Sequence, residues 1–152
     1  MGYAMASNIR KKIASTSTVY VYDISRNSCE RFASTYGESG PIVICDSVKD
    51  AAQSAKVVIS IVPTAENVRQ VYLDQHSGLV AARKDADRLI LECSTIDSAS
   101  TREVGEQLRG SENGFYVDVP VSVSFLTSKS LDWVIDICRV VFRLRTRELF
   151  PS

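Results

Sequence analysis

The chain has 152 residues, of which 45% are hydrophobic and 24% charged, the balance of a soluble globular domain with a real core. Lys plus Arg and Asp plus Glu number 18 each, so no overall field draws in nucleic acid or an anionic membrane surface. Cys29, Cys45, Cys93 and Cys138 are scattered without a Cys-x-x-Cys pair and His76 is the only histidine, which argues against zinc or a disulfide framework and for a reducing compartment.

In chain order, Met5, Ile9 and Ile13 recur at helical spacing, with Asn8, Lys11 and Lys12 on the opposite face. Val19 to Tyr22 predicts a β-branched and aromatic strand ending at Asp23. A helix follows over Ser25 to Tyr36, with Cys29, Phe32, Ala33 and Tyr36 on one stripe and Gly37 as its C-cap. Ile42 to Cys45 predicts the next strand, and Asp46 or Ser47 caps a short helix through Ala55. Val57 to Val62 is apolar apart from Ser60, the pattern of a parallel strand covered on both faces.

Pro63 stops that strand, and a helix over Glu66 to Leu73 turns Val68, Val71 and Tyr72 inward. Leu89 to Cys93 predicts a strand, Ser98 to Leu108 a helix, and Phe115 to Asp118 the last clear strand. This alternation defines an α/β fold, a doubly wound and mostly parallel sheet. The pattern begins with a helix, although each βαβ unit needs a strand before its helix, so the sheet is expected to lack its first strand.

Polar residues just beyond parallel strands are candidates for a ligand site, because open α/β sheets bind ligands at the carboxyl ends of their strands. Val62-Pro63-Thr64, Cys93-Ser94-Thr95-Ile96-Asp97 and Asp118-Val119-Pro120-Val121-Ser122 all stand there. Each has a plain structural reading as well. Proline ends strands, Asn67 suits a first helical turn, Thr95 and Ser122 suit turns, and Cys93 reads as a small buried hydrophobe. Asp23 lies at a strand end about 20 residues after Gly2, the separation at which an acid meets ribose hydroxyls in a dinucleotide fingerprint. His76, in a polar connector, has no nucleophile at a recognisable spacing and is assigned no chemistry.

Together, Met1-Gly2 with Met5-Ala6 and Asn8, Tyr22-Asp23, Pro63-Thr64 with Asn67 and Tyr72, Ser94-Thr95-Ile96-Asp97, and Asp118-x-Pro120-Val121-Ser122 resemble the N-terminal half of the β-hydroxyacid dehydrogenase family. The resemblance runs over residues 1–122 and is closest to the members acting on 3-hydroxyisobutyrate. It implies a Rossmann-like NAD-binding domain. Met1 and Gly2 would lie in the pyrophosphate turn, Asp23 on the adenosine ribose, Val62, Pro63 and Asn67 along the cofactor, and Thr95 near the nicotinamide. Ser122 would hold the carboxylate of a small hydroxyacid. The charge of Asp23 disfavours the 2′-phosphate of NADP, with Arg26 nearby as a counterweight.

The sequence departs from the family in three places. The first strand and the first two glycines of the fingerprint have no counterpart, and Val123 and Ser124 stand where the family has glycines. The proton-transferring lysine of the family belongs to a helical second half that nothing after Ser122 resembles; Lys129 has no supporting motif, so no catalytic residue is assigned. The expected organisation is therefore an incomplete dinucleotide-binding domain over 1–122 and a divergent tail over 123–152, inactive alone and without the family's oligomerisation domain. A non-catalytic dinucleotide- or protein-binding module is the alternative, and glyoxylate, succinic semialdehyde or 6-phosphogluconate are alternative substrates. No metal is expected. The resemblance implies a mitochondrial place in valine breakdown, although Met1 to Arg10 shows no targeting pattern and the apolar run Trp133 to Phe142, broken by Asp136 and Arg139, is far short of the ~20 residues that span a membrane.

Overall fold

The structure, a computed structural model, describes residues 2–121; Met1, Ser122 and the tail over 123–152, including Val123, Ser124 and Lys129, lie outside the described residues. Among the described residues, five α-helices and five strands alternate, with two short 3-10 turns between them. Helix α1 (Gly2–Lys12) carries Arg10, Lys11 and Lys12 in its last turn, where cations oppose the negative end of the helix dipole. Its inner face differs from the expected apolar stripe: Ile13 is 37% exposed, whereas Arg10 is 1% exposed. The reason is hydrogen bonding. The Arg10 guanidinium donates to the carbonyls of Ile13, Ala14 and Ser17, gathering the connector that follows α1 around the end of the helix.

Strand β1 (Val19–Val21) leads to helix α2 (Arg26–Tyr36), whose buried Cys29 and Phe32 form its inner stripe. Phe32 meets Tyr3 of α1 edge to face, with ring centroids 5.5 Å apart. Gly37 follows the helix in right-handed geometry, φ −60° and ψ −30°, so it needs none of glycine's freedom; the left-handed position is taken by Gly40, at φ 141°. Strand β2 (Ile42–Ile44) then pairs parallel with β1, Val19 opposite Ile42 and Val21 opposite Ile44.

Helix α3 (Val48–Ser54) is capped by Ser47, whose hydroxyl accepts from the Asp50 amide at 3.1 Å. Strand β3 (Val57–Ser60) and helix α4 (Ala65–Leu73) follow, the latter capped by Thr64 accepting from the Asn67 amide at 3.2 Å. Strand β4 (Leu89–Glu92), helix α5 (Ser98–Gly110) and strand β5 (Phe115–Asp118) complete the described fold. Strands β3 and β5 both pair parallel with β4. Val68 and Tyr72 of α4, Val104 and Leu108 of α5, and Ile90 of β4 are fully enclosed in one core.

The described strands form two sheets, β1 with β2 and β3-β4-β5. In a doubly wound sheet of order 3-2-1-4-5-6 the first strand separates the second from the fourth, so the break falls where the expected strand would stand. Burial follows the same line. All four residues of β4 are buried, whereas the expectation that β3 is covered on both faces is corrected: its residues are only half-buried, because one edge of β3 carries no strand among the described residues.

Entry into β5 depends on Gly114, at φ 142°, where a Cβ would stand 2.5 Å from the carbonyl oxygen of Arg88. Gly37 has nothing within 4 Å of its absent Cβ. Urea denaturation is expected to show Gly114→Ala losing more than ~1 kcal/mol of stability, while Gly37→Ala is neutral or gains about 0.5 kcal/mol.

Candidate functional site

Because every strand pair is parallel, the carboxyl ends of β3, β4 and β5 emerge together along one edge. The loops leaving that edge are tied to one another. The Val62 amide, just beyond β3, donates to the Ser94 hydroxyl, just beyond β4, at 2.8 Å. The Thr95 hydroxyl donates to the carbonyl of Val121, beyond β5, at 3.1 Å. Thr95 and Pro63 are exposed at this rim, and Cys93 is fully buried beneath it, as expected of a small hydrophobe.

The N-terminus of α1 reaches the same rim. A Cβ on Gly2 would lie 3.2 Å from Cγ2 of Ile61, so this position sits tight against the end of β3 and favours glycine. The first turn of α1 holds no acidic side chain, leaving the positive end of its dipole available to an anion. Asp23, two residues past β1, is exposed, and its carboxylate accepts the Ser25 amide at 2.8 Å in a local turn. Arg26 pairs with Asp46 and, at 3.8 Å, with Glu30, so its charge is shared between two carboxylates. Asn67 is held in the first turn of α4, where its Oδ1 accepts from Thr64 at 2.8 Å.

Of the residues singled out in the sequence, Gly2, Val62, Pro63 and Thr95 come together at the rim of the three-stranded sheet; Met1 and Ser122 lie outside the described residues. Sequence reasoning assigned no role to Ser60 and Glu92 beneath that rim, although it had marked Tyr72 and Asp118. Ser60, Glu92 and Asp118 stand in register on adjacent strands and therefore share a face. Glu92 is fully buried; its carboxylate accepts from the Ser60 hydroxyl and from the Ser94 amide, the latter at 2.7 Å. The buried Tyr72 hydroxyl bonds to Ser60 in turn. Partial burial, and then the Glu92 carboxylate, raise the pKa of Asp118; burial, and then the same carboxylate, push the Tyr72 hydroxyl far above its ordinary range. The signal was present as single polar residues, Ser60 and Glu92, inside otherwise apolar strand runs.

The fold, the glycine at a helix start and the polar rim define a dinucleotide-binding domain of the Rossmann type. Residues 1–126 match the NAD binding domain of 6-phosphogluconate dehydrogenase, and the chain belongs to this family, within the β-hydroxyacid dehydrogenases. It is 33% identical over 123 residues to the NAD-dependent L-serine dehydrogenase of Pseudomonas aeruginosa, covering 80% of this chain and 37% of that protein. It is 28% identical over 122 residues to the mitochondrial 3-hydroxyisobutyrate dehydrogenase of Homo sapiens, covering 80% of this chain and 33% of that protein. The crystal structure of 3-hydroxyisobutyrate dehydrogenase from Salmonella typhimurium, 22% identical, superimposes with a TM-score of 0.60 over 79% of this chain and 38% of its own, a likeness of fold. The chain thus spans about a third of the length of these curated relatives. Among the described residues no helix is long and apolar enough to cross a membrane.

Helix α5 begins at the rim, where Asp97 accepts the Ser100 amide at 2.9 Å and the Ser100 hydroxyl at 2.7 Å. These bonds hold its carboxyl below the ordinary carboxylate range. The unfolded chain binds this proton more tightly, so the cap contributes its stability above about pH 4 and loses it as pH falls through the lowered folded value. Asp97→Asn retains a capping oxygen without titrating. Urea midpoints followed from about pH 7 to pH 3 are expected to fall less steeply in Asp97→Asn than in the parent chain.

Proposed function

We propose that this chain is the cofactor-binding half of an NAD-dependent dehydrogenase that oxidises 3-hydroxyisobutyrate to its semialdehyde. The observation that carries the reading is the rim itself: three parallel strand ends cross-tied through Val62, Ser94, Thr95 and Val121, with the N-terminus of α1 closed on Ile61. In this reading Met1 and Gly2 face the pyrophosphate, Asp23 takes the adenosine ribose, and Val62, Pro63 and Asn67 border the dinucleotide. Thr95 stands at the nicotinamide end, and Ser122 receives the substrate carboxylate. NAD, when bound, supplies the hydride acceptor. This chain's own contribution is to bind and orient: the α1 dipole favours the pyrophosphate charge, and Asp23 repels a 2′-phosphate while Asp46 and Glu30 occupy Arg26.

No group over residues 1–152 is assigned to receive the hydroxyl proton, so these residues are proposed to bind NAD without turning substrate over. The division into a domain over 1–122 and a divergent tail, a mitochondrial location and a role in valine breakdown belong to the same proposal, the last two supported by relatives such as the human enzyme. The Pseudomonas relative favours L-serine as a second substrate reading. Both molecules are small β-hydroxyacids, and a carboxylate-binding Ser122 suits either.

Calorimetric titration of the chain with NAD tests the reading. Saturable binding is expected, weakened about tenfold or more in Asp23→Ala, the worth of a hydrogen bond to a charged group. Affinity for NADP is expected to be lower than for NAD. A folded chain that binds neither dinucleotide would overturn the proposal and favour a non-dinucleotide partner.

A further inference from the structure

Glu92 is a carboxylate placed where an α/β core ordinarily holds an apolar side chain. It is fully buried on β4, the central strand of its sheet, and among the described residues its hydrogen-bond partners are Ser60 and Ser94. Its two oxygens are divided between neighbours: Oε2 accepts the Ser60 hydroxyl from β3, and Oε1 accepts the Ser94 amide from the turn leaving β4, at 2.7 Å. Ser94, 1% exposed, then uses its own hydroxyl oxygen to accept the Val62 amide at 2.8 Å. The result is a closed circuit from β3 through Glu92 to the β4 turn and back to the β3 turn. Tyr72, donating its hydroxyl to Ser60, anchors the circuit to α4.

A purely stabilising role would be served as well by apolar side chains of similar volume, since burying a carboxylate carries a desolvation cost that its hydrogen bonds only offset. What apolar side chains cannot supply is a fixed geometry between two turns that have no regular secondary structure of their own. The circuit fixes the Val62-Pro63 turn, read above as bordering the dinucleotide, relative to the Ser94-Thr95 turn, whose Thr95 stands at the nicotinamide end in that reading.

We propose that Glu92 and Ser94 are positioning residues, which act through the turns after β3 and β4 to preorganise the nicotinamide end of the dinucleotide site. The proposal rests on the NAD reading of the rim. It assigns neither residue a contact with the cofactor. Glu92 orients the Ser94 amide, Ser94 holds the Val62 amide, and the ordering of both turns is in place before the ligand arrives, so that less conformational freedom is lost on binding.

The test compares two probes on the full chain, NAD and ADP-ribose, which has the same adenosine, pyrophosphate and ribose but no nicotinamide. Ser94→Ala removes the hydroxyl that accepts the Val62 amide. Glu92→Gln replaces one of the two carboxylate acceptors with a donor. Each variant is expected to weaken NAD about tenfold while leaving ADP-ribose within about twofold of the parent, with near-parent circular dichroism. Glu92→Asp, which keeps both acceptors on a shorter stem, is expected to recover part of the difference.

Equal weakening of both ligands, or an unchanged ratio between them, would overturn the proposal while leaving the NAD reading intact. A parent chain that binds neither probe would overturn that reading and this proposal with it. Should Glu92→Gln unfold, Ser94→Ala decides the question by the same ratio. An unfolded Ser94→Ala chain would assign the circuit to stability alone and overturn the positioning role.

Discussion

The parallel pairing of β3 and β5 on β4 is the constraint from which the rest of the described structure follows. Parallel strands can be joined only by crossovers, and α4 with its following connection, and α5, supply them. Those helices bury Val68, Tyr72, Val104 and Leu108 on the face that carries Ile90, and all four residues of β4 are buried. The same pairing sends three polar turns out along one edge. A core and a ligand rim are therefore two consequences of one hydrogen-bonded register.

That register also explains the polar layer beneath the rim. Pairing Ser60 with Glu92 and Glu92 with Asp118 puts three hydrophilic side chains in a row on one face, at the last residue of each strand. One turn of α4 brings Tyr72 over the row, and its ring meets Tyr116 edge-on at a centroid distance of 5.6 Å. The apolar core ends at this layer and the solvent-facing turns begin above it. Buried polar groups with defined partners fix geometry more tightly than apolar contacts do, because a hydrogen bond is directional and a displaced donor or acceptor loses solvation as well as its partner.

The half of the domain around β1 and β2 is held differently. Here the sheet is only two strands wide, its residues are partly exposed, and much of the order comes from helix contacts: Tyr3 against Phe32 and Tyr36, and Arg10 closing the carbonyls that follow α1. Such a half presents Asp23 on an exposed turn, supported locally by the Ser25 amide rather than by a network. The two ends of the proposed site are thus held by different means, a local turn at Asp23 and a side-chain network beneath the rim.

Hydrophobic periodicity made the elements legible. Strand runs such as Leu89 to Glu92 and helical spacings such as Val68 and Tyr72 depend on neighbours in the chain, and the strand ends then marked where a ligand site belongs. The family was readable as well, from short motifs at strand ends. Other features were decided across the fold. Whether Ile13 or Arg10 would be buried depended on three carbonyls that gather after α1, and the half-exposure of β3 depended on what stood beside it. The circuit of Ser60, Glu92, Ser94 and Val62 joins residues 32 positions apart along the chain. The sequence by itself determined element types and the polar character of the strand ends, since both are local; only the tertiary structure decided which polar groups share a bond, because strand register brings together residues that no local pattern connects.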